Sequence, residues 1–82
     1  MTMTDQLIEL ISTEINPAAG TPIEADTDLL LTGVVDSLGV VRIVNWIEDE
    51  AGVEVDPVDV TLENFSTVSA IAAYVDGRRG PV

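Results

Sequence analysis

The sequence contains no cysteine and no histidine. Without cysteine the fold has neither disulfides nor thiolate metal ligands, so its stability must come from an apolar core. Without histidine the chain lacks the usual general base and the commonest side-chain metal ligand. Because its serine hydroxyls have no plausible triad base, we expect that the protein is not an enzyme.

Basic residues are scarce, with three Lys and Arg against fifteen Asp and Glu, which gives a net charge of -12. This charge repels phosphate backbones and anionic lipid head groups, so we expect neither nucleic acid nor membrane as a partner. The same field favours encounters with basic patches on other proteins. The sequence also lacks a membrane-length apolar run, a signal-peptide pattern and any sign of self-association, so we expect a cytoplasmic monomer.

The length and the hydrophobic content of the chain limit how many domains it can form. A chain of 82 residues suffices for one small domain that removes about 60% of its unfolded surface from water. Hydrophobic residues make up 46% of the chain and recur periodically, which favours a folded core over disorder. We therefore expect a single domain over 1–82, with a core at about 4–76 and a flexible tail at 77–82.

Apolar residues recur at helical spacing in three segments, and a fourth, shorter segment can form one helical turn. A long connection at about 16–36 separates the first two helices, since Pro17, Gly20 and Pro22 interrupt the pattern. The predicted helices cover about 4–15 and 37–51, a short turn at 61–65, and a last helix that begins after a cap at Ser66 or Thr67 and ends at Gly77. The sequence thus predicts an all-α fold, a small four-helix bundle with three main helices, one short helix and a long first loop.

Capping signals mark the ends of the predicted helices. Thr4 is the expected N-cap of the first helix, and Asp36 is the expected N-cap of the second. Either Ser66 or Thr67 is expected to cap the last helix, and Gly77 is expected to end it.

The second predicted helix has a clear apolar arc when its residues are placed at intervals of about 100° around the axis. The expected core face consists of Val40, Ile43, Val44, Ile47 and Ala51. Leu38, Val41 and Trp46 fall outside this arc, so we expect them to be at least partly exposed. Trp46 either packs under the long loop or contacts a partner, and packing is favoured because large aromatic side chains are generally well buried.

Ser37 lies where the long loop meets the second helix. An Asp followed by Ser before an apolar-periodic run is by itself an ordinary helix start. However, residues 33–39, Gly-Val-Val-Asp-Ser-Leu-Gly, followed by an amphipathic helix, resemble the attachment-site signature of acyl and peptidyl carrier proteins. The resemblance extends over about 4–76. It implies the same helical fold and a covalent 4'-phosphopantetheine arm, taken from coenzyme A, on Ser37, with Asp36 and Leu38 completing the attachment motif.

The resemblance also implies a function and a set of partners. The arm would hold an acyl or aminoacyl group as a thioester and present it to enzymes that dock the carrier. The implied partners are a phosphopantetheinyl transferase, a loading enzyme (an adenylation enzyme, a ligase or an acyltransferase) and downstream acyl-processing enzymes. The expected docking surface comprises Leu38, Val41, Arg42, Asn45, Glu48 and Asp49.

Departures from the fatty-acid carrier pattern guide the choice of pathway. Carriers of fatty-acid synthases typically have acidic residues where this chain has Gly39 and Arg42, and their usual glycine lies one residue nearer the serine than Gly33 does. The chain looks more like discrete carriers of amino acids or other starter units, including prolyl and D-alanyl carriers. We therefore expect a role in polyketide or nonribosomal-type natural-product biosynthesis. The alternatives are a house-keeping fatty-acid carrier and, in another class, an acidic helical interaction adaptor without a prosthetic group.

An acidic stretch of the long connection resembles the start of a calcium-binding loop. Glu24, Asp26 and Asp28 stand at the two-residue spacing with which such a loop begins. Counted from Glu24, the sixth and twelfth positions of an EF-hand require Gly and Glu, but Leu29 and Val35 stand there. A count from Asp26 fails equally, so no metal site is expected.

Overall fold

A computed structural model describes residues 2–17 and 22–79, and within these ranges the chain is helical and has no strand. Two of the helices end in a wider, π-helical turn. In chain order the elements are α1 (Met3–Leu10) with its π turn (Ile11–Ile15), α2 (Ser37–Trp46) with its π turn (Ile47–Ala51), a 3-10 turn (Pro57–Asp59), α3 (Leu62–Phe65) and α4 (Val68–Arg79). The predicted all-α bundle of three main helices and one short helix is confirmed.

The predicted N-cap of the first helix is wrong, whereas one of the two predicted caps of the last helix is correct. Thr2, not Thr4, caps α1, because its extended backbone lets its hydroxyl oxygen accept a 3.1 Å hydrogen bond from the amide of Asp5. Thr4 lies inside the first helical turn, so that prediction is wrong. Thr67 caps α4 by accepting a 3.0 Å hydrogen bond from the amide of Ala70, as one of the two predicted alternatives required.

The end of α4 also differs from the prediction. The helix continues through Gly77 to Arg79. Glycine costs up to about 1 kcal/mol in a helix interior but does not forbid it. The last turn is tied to the bundle by Arg78, whose guanidinium donates a 3.3 Å hydrogen bond to the carbonyl oxygen of Glu54. Residues 80–82 of the expected tail lie outside the described residues.

The core forms where α1, α2 and α4 meet, and Phe65 of α3 closes it. On the predicted core face of α2, Ile43 and Ile47 are buried and the other three residues pack against the core as partly buried side chains. The buried side chains are Leu7, Leu10, Ile11, Ile23, Leu29, Val35, Ile43, Ile47, Val53, Val55, Phe65, Val68, Ile71, Ala72 and Val75. No helix in the described ranges has both the length and the apolar character needed to cross a lipid bilayer.

The long loop before α2 is anchored to the junction of α3 and α4. The amide of Leu29 donates a 2.7 Å hydrogen bond to the carbonyl oxygen of Ser66, and the amide of Ser69 donates one of 2.9 Å to that of Ala25. Leu29 is fully buried, whereas Leu31 is 78% exposed. The described part of the loop is therefore anchored by Leu29 in the core and by hydrogen bonds to the junction of α3 and α4, and it leads directly into α2.

Candidate attachment site at the start of α2

The chain immediately before α2 is fixed by backbone contacts. Gly33 has a φ of 78°, a left-handed conformation that favours glycine and turns the loop toward the helix. The amide of Val35 donates a 2.9 Å hydrogen bond to the carbonyl oxygen of Leu29. The side-chain amide of Asn16 donates one of 3.0 Å to the carbonyl oxygen of Val34. These contacts connect the approach to α2 with the end of the first helix.

Asp36 caps α2, as predicted. Its carboxylate Oδ1 accepts a 2.9 Å hydrogen bond from the amide of Gly39. Its carbonyl oxygen accepts the first bond of the helix, 2.9 Å from the amide of Val40. The amides of Ser37 and Leu38 have no acceptor in the part of the chain that the structure describes. Two free backbone donors thus lie beside the Ser37 side chain at the positive end of the helix.

Ser37 is exposed and lies at the edge of an apolar cavity. The cavity has a volume of about 500 Å³ and is open to solvent. Its apolar lining comes from the long loop, from α2 and from the segment around α3, namely Leu30, Val35, Val40, Val41, Val60, Leu62 and Phe65. No local pattern in the sequence indicates this cavity, because the residues that line it are far apart in the chain.

The segment around α3 forms one wall of the cavity. Asp59, in the 3-10 turn before α3, links this wall to α4 through hydrogen bonds. The hydroxyl of Tyr74 donates a 2.9 Å hydrogen bond to Oδ2 of Asp59, and the side-chain amide of Asn64 donates one of 2.8 Å to the carbonyl oxygen of Asp59. Burial raises the pKa of Tyr74 above its ordinary value of 10.0, and the hydrogen bond with Asp59 raises this pKa further. The rings of Phe65 and Tyr74 are also in contact, with centroids 6.0 Å apart. The wall therefore has a defined position.

Leu38 and Val41 are exposed, as the helical wheel predicted. Leu38 is 74% exposed and Val41 is 54% exposed, and Val41 shares the cavity with Ser37. Large apolar side chains this exposed are consistent with a contact surface, although single exposed residues are common. Trp46 is partly buried, so the expected packing is confirmed, but it shares its hollows with residues of the first helix and not with the described part of the long loop.

Three further residues of the expected docking surface face another way. Arg42, Asn45 and Asp49 line a separate hollow of about 250 Å³ together with Trp46. The guanidinium of Arg42 donates a 2.7 Å hydrogen bond to the backbone carbonyl oxygen of Glu14, at the end of the first helix. The structure thus places this part of the expected surface on the α1 side of α2 and not beside Ser37.

Glu48, the last residue of the expected surface, has an internal contact. Its carboxylate Oε2 accepts a 3.1 Å hydrogen bond from the amide of Val55. Gly52, with a φ of 66°, ends the preceding π turn in a left-handed conformation and turns the chain so that Val55 returns toward α2. One function of Glu48 is therefore to hold the extended segment after α2.

Gly39 lies in a close contact and not on a free surface. A Cβ atom at this position would lie 2.8 Å from Cγ1 of Val35 and 3.0 Å from Cγ2 of Ile15. Both distances are shorter than ordinary van der Waals contact, so the first turn of α2 approaches its neighbours as closely as glycine allows. The acidic residue of the fatty-acid pattern does not fit this position without a shift in the surrounding structure.

Comparisons with known proteins agree with this geometry. A family model described as a phosphopantetheine attachment site matches residues 5–75. A search among curated protein sequences found no significant match. Among solved structures, a chain of one described as "Crystal structure of FAD-dependent dehydrogenase" is 27% identical and superposes with a TM-score of 0.78, over 85% of this chain and 99% of that chain.

The site has the features that such a prosthetic group requires. An exposed hydroxyl can carry a phosphodiester, and free amides at a helix N-terminus favour a bound phosphate. Domains of this family carry cargo and are in general not catalytic; they are recognised by phosphopantetheinyl transferases and acyl-processing enzymes. Because the family model covers nearly the whole domain, this chain belongs to the phosphopantetheine-binding carrier proteins, which hold their cargo on a covalently attached 4'-phosphopantetheine arm.

Proposed function

We propose that Ser37 is the attachment residue and that the protein is a stand-alone carrier of acyl or aminoacyl groups. The observation that carries the proposal is the exposed Ser37 side chain beside two free backbone amides on the first turn of α2. Asp36 supports it, because its cap fixes the turn from which the hydroxyl projects. Asp36 and Leu38 complete the motif around the serine.

The residues of this chain have a limited task at the site. Ser37 presents its hydroxyl, while the transferase that docks supplies the base that removes the proton. The amides of Ser37 and Leu38, together with the helix dipole, favour the negative charge of a phosphodiester. When bound, the prosthetic group supplies a flexible thiol that holds cargo as a thioester. A flexible tether raises the effective concentration of that cargo at each docked enzyme.

For the pathway, we propose polyketide or nonribosomal-type natural-product biosynthesis. The close contact at Gly39 supports this, since it disfavours the acidic residue typical of fatty-acid carriers at that position. Arg42 is the second position that departs from the fatty-acid pattern. Its hydrogen bond to the end of the first helix gives a structural reason for a cation there. A house-keeping fatty-acid carrier is the alternative within the class.

The description of the similar solved structure names an FAD-dependent dehydrogenase, and this supports a candidate partner class. Such an enzyme would take two electrons and two protons from carrier-bound cargo and transfer them to its flavin. This makes a flavin dehydrogenase one of the acyl-processing enzymes to test with the loaded carrier.

The attachment residue is tested by intact-protein mass after incubation with coenzyme A and a promiscuous phosphopantetheinyl transferase. We expect the wild type to gain one phosphopantetheine and Ser37→Ala to gain none. Ser69→Ala is the matched control, because Ser69 is also an exposed serine on the first turn of a helix. It should gain the group like the wild type, and circular dichroism should show that both variants are folded.

Two outcomes would contradict the proposal. Modification of folded Ser37→Ala would place the arm on another residue. No gain by the folded wild type, with a known carrier modified in the same reaction, would favour the acidic adaptor without a prosthetic group. In that case Ser37→Ala should also be silent in any cellular assay of the protein.

A further inference from the structure

A second concave surface lies between α1 and the end of α2, away from the attachment site. It consists of two adjoining hollows of about 280 Å³ and about 250 Å³. Both hollows are lined by Leu10, Glu14 and Trp46. We call this surface the Trp46 groove and define it by the residues Glu9, Leu10, Glu14, Trp46, Asp49 and Glu50.

The Trp46 groove is separate from the cavity beside Ser37. Trp46 follows Ser37 by nine residues on one continuous α-helix. At about 100° and 1.5 Å per residue, this spacing puts the two side chains on opposite sides of α2 and about 14 Å apart along its axis. The groove and the cavity share no lining residue. A partner seated in the groove would therefore leave Ser37 accessible.

The groove combines an apolar floor with an acidic rim. Leu10 and the partly buried Trp46 form the floor. The exposed carboxylates of the rim come from both helices, namely Glu9, Glu14, Asp49 and Glu50. Arg42 is the single basic residue that lines either hollow, and its guanidinium is engaged by the backbone carbonyl of Glu14. The field in the groove is therefore strongly negative around an aromatic surface.

On each side of the groove, regular α-helix ends at a residue that lines the groove. Leu10 is the last residue of regular α1, and Trp46 is the last residue of regular α2. Each helix then widens into a π turn. Turns of this kind occur at the carboxyl ends of helices, and here they carry the rim residues Glu14, Asp49 and Glu50.

We propose that the Trp46 groove docks an arginine-bearing amphipathic segment of a partner protein while the attachment site stays free. A guanidinium stacks on the exposed part of the indole of Trp46 by a cation–π contact, and the rim carboxylates accept its hydrogen bonds. The planar, weakly hydrated guanidinium suits both contacts better than the compact ammonium of lysine. The apolar face of the segment covers Leu10. This docking goes beyond the carrier function and does not depend on it.

The test uses the fluorescence of Trp46, which is the only tryptophan of the chain. The probe is an amphipathic helical peptide with arginines on its polar face, compared with matched peptides in which lysine or glutamine replaces arginine. We expect a saturable change with the arginine peptide, a several-fold weaker one with the lysine peptide and none with the glutamine peptide. Added NaCl should weaken binding, since exposed charges are screened.

Two double variants with equal net charge separate the groove from the overall acidity of the protein. Glu9→Gln with Glu50→Gln removes two rim charges, and we expect several-fold weaker binding. Glu24→Gln with Asp76→Asn removes two exposed charges that do not line the groove, and we expect wild-type affinity.

Separation from the attachment site is tested in the same titration with Ser37→Ala and with the phosphopantetheinylated protein. Both should bind the arginine peptide like the unmodified wild type. The Glu9 and Glu50 double variant should still gain phosphopantetheine, so failure of docking is distinguishable from failure of the carrier function. The proposal is overturned if the arginine peptide does not saturate, if both double variants weaken binding equally, or if the attached arm displaces the peptide.

Discussion

A hydrogen bond between Arg42 of α2 and Glu14 at the end of the first helix connects these two helices. Nη1 of Arg42 donates a 2.7 Å hydrogen bond to the backbone carbonyl oxygen of Glu14. The last carbonyls of a helix lack intrahelical partners, and the negative end of the helix dipole favours a nearby cation. Arg42, which departs from the fatty-acid carrier pattern, therefore completes the end of the first helix as well as contributing to the charge of α2.

Substitution of Arg42 should change both stability and partner choice. Arg42→Gln and Arg42→Glu remove the charged donor, so we expect each to lower the free energy of unfolding by about 1 kcal/mol. Arg42→Glu should in addition raise turnover by a fatty-acid synthase enzyme and lower turnover by the native partner, because it restores an acidic residue. Chemical denaturation and steady-state assays measure the two effects. Equal turnover by Gln and Glu variants would show that charge at this position does not select the partner.

Gly39→Asp should destabilise the protein. The new Cβ would lie 2.8 Å from Val35, and the carboxylate would have to be placed beside apolar side chains. Overpacking of this kind costs about 1–3 kcal/mol. Thermal unfolding followed by circular dichroism measures the loss. Gly77→Ala is the matched control, since a Cβ in that helical glycine meets nothing within 4 Å. It should leave stability unchanged or raise it by up to about 1 kcal/mol, and an equal loss in both variants would refute the steric explanation.

Tyr74→Phe should weaken the wall of the cavity beside Ser37. The variant keeps the ring contact with Phe65 but loses the hydrogen bond to Asp59, which should cost about 1 kcal/mol in the free energy of unfolding. Amide chemical shifts around α3 should move while those of α1 stay constant. Shifts spread evenly over the bundle would argue against a local role of the hydroxyl.

The same tyrosine predicts a stability change in alkaline solution. Burial and the hydrogen bond to Asp59 raise the pKa of Tyr74 in the folded state above 10.0. A group with a raised folded pKa contributes stability that is present below its unfolded pKa and is lost as the pH rises through the folded pKa. The wild type should therefore lose more stability than Tyr74→Phe when the pH rises from neutral to above 10.0. An absorbance titration of this single tyrosine measures its pKa, and a value at or below 10.0 would contradict the prediction.

Loss of the Asp36 cap should affect both stability and modification. Asp36→Ala leaves the amide of Gly39 without its acceptor and should cost about 1 kcal/mol. Because the first turn of α2 then frays, phosphopantetheinylation should also be slower. Thr67→Ala, which removes the cap of α4, should cost a similar amount of stability without slowing modification. Equal modification rates in the two variants would mean that the cap does not help to present Ser37.

Local patterns in the sequence predict the four helices and the start of the site, but not the start of the first helix or the end of the last one. Periodicity placed the buried Ile43 and Ile47 and the exposed Leu38 and Val41 on the correct sides of α2. The cap at Asp36 is predictable because its carboxylate and the amide of Gly39, from which it accepts a hydrogen bond, are only three residues apart in the chain. The family signature around Ser37 is likewise a contiguous stretch, and the family match spans the domain.

Contacts between distant segments were decided only by the tertiary structure. The sequence marks Gly39 only as a departure from the fatty-acid pattern, and its closeness to Val35 and Ile15 depends on how the loop and the first helix pack. The hydrogen bond from Arg42 to Glu14 and the cavity between α2 and α3 also depend on how distant segments pack together. A sequence determines by itself what each turn of backbone prefers, because those preferences act over three or four residues. Which side chains then meet depends on packing the whole core at once, since every helix must bury its apolar face against the others.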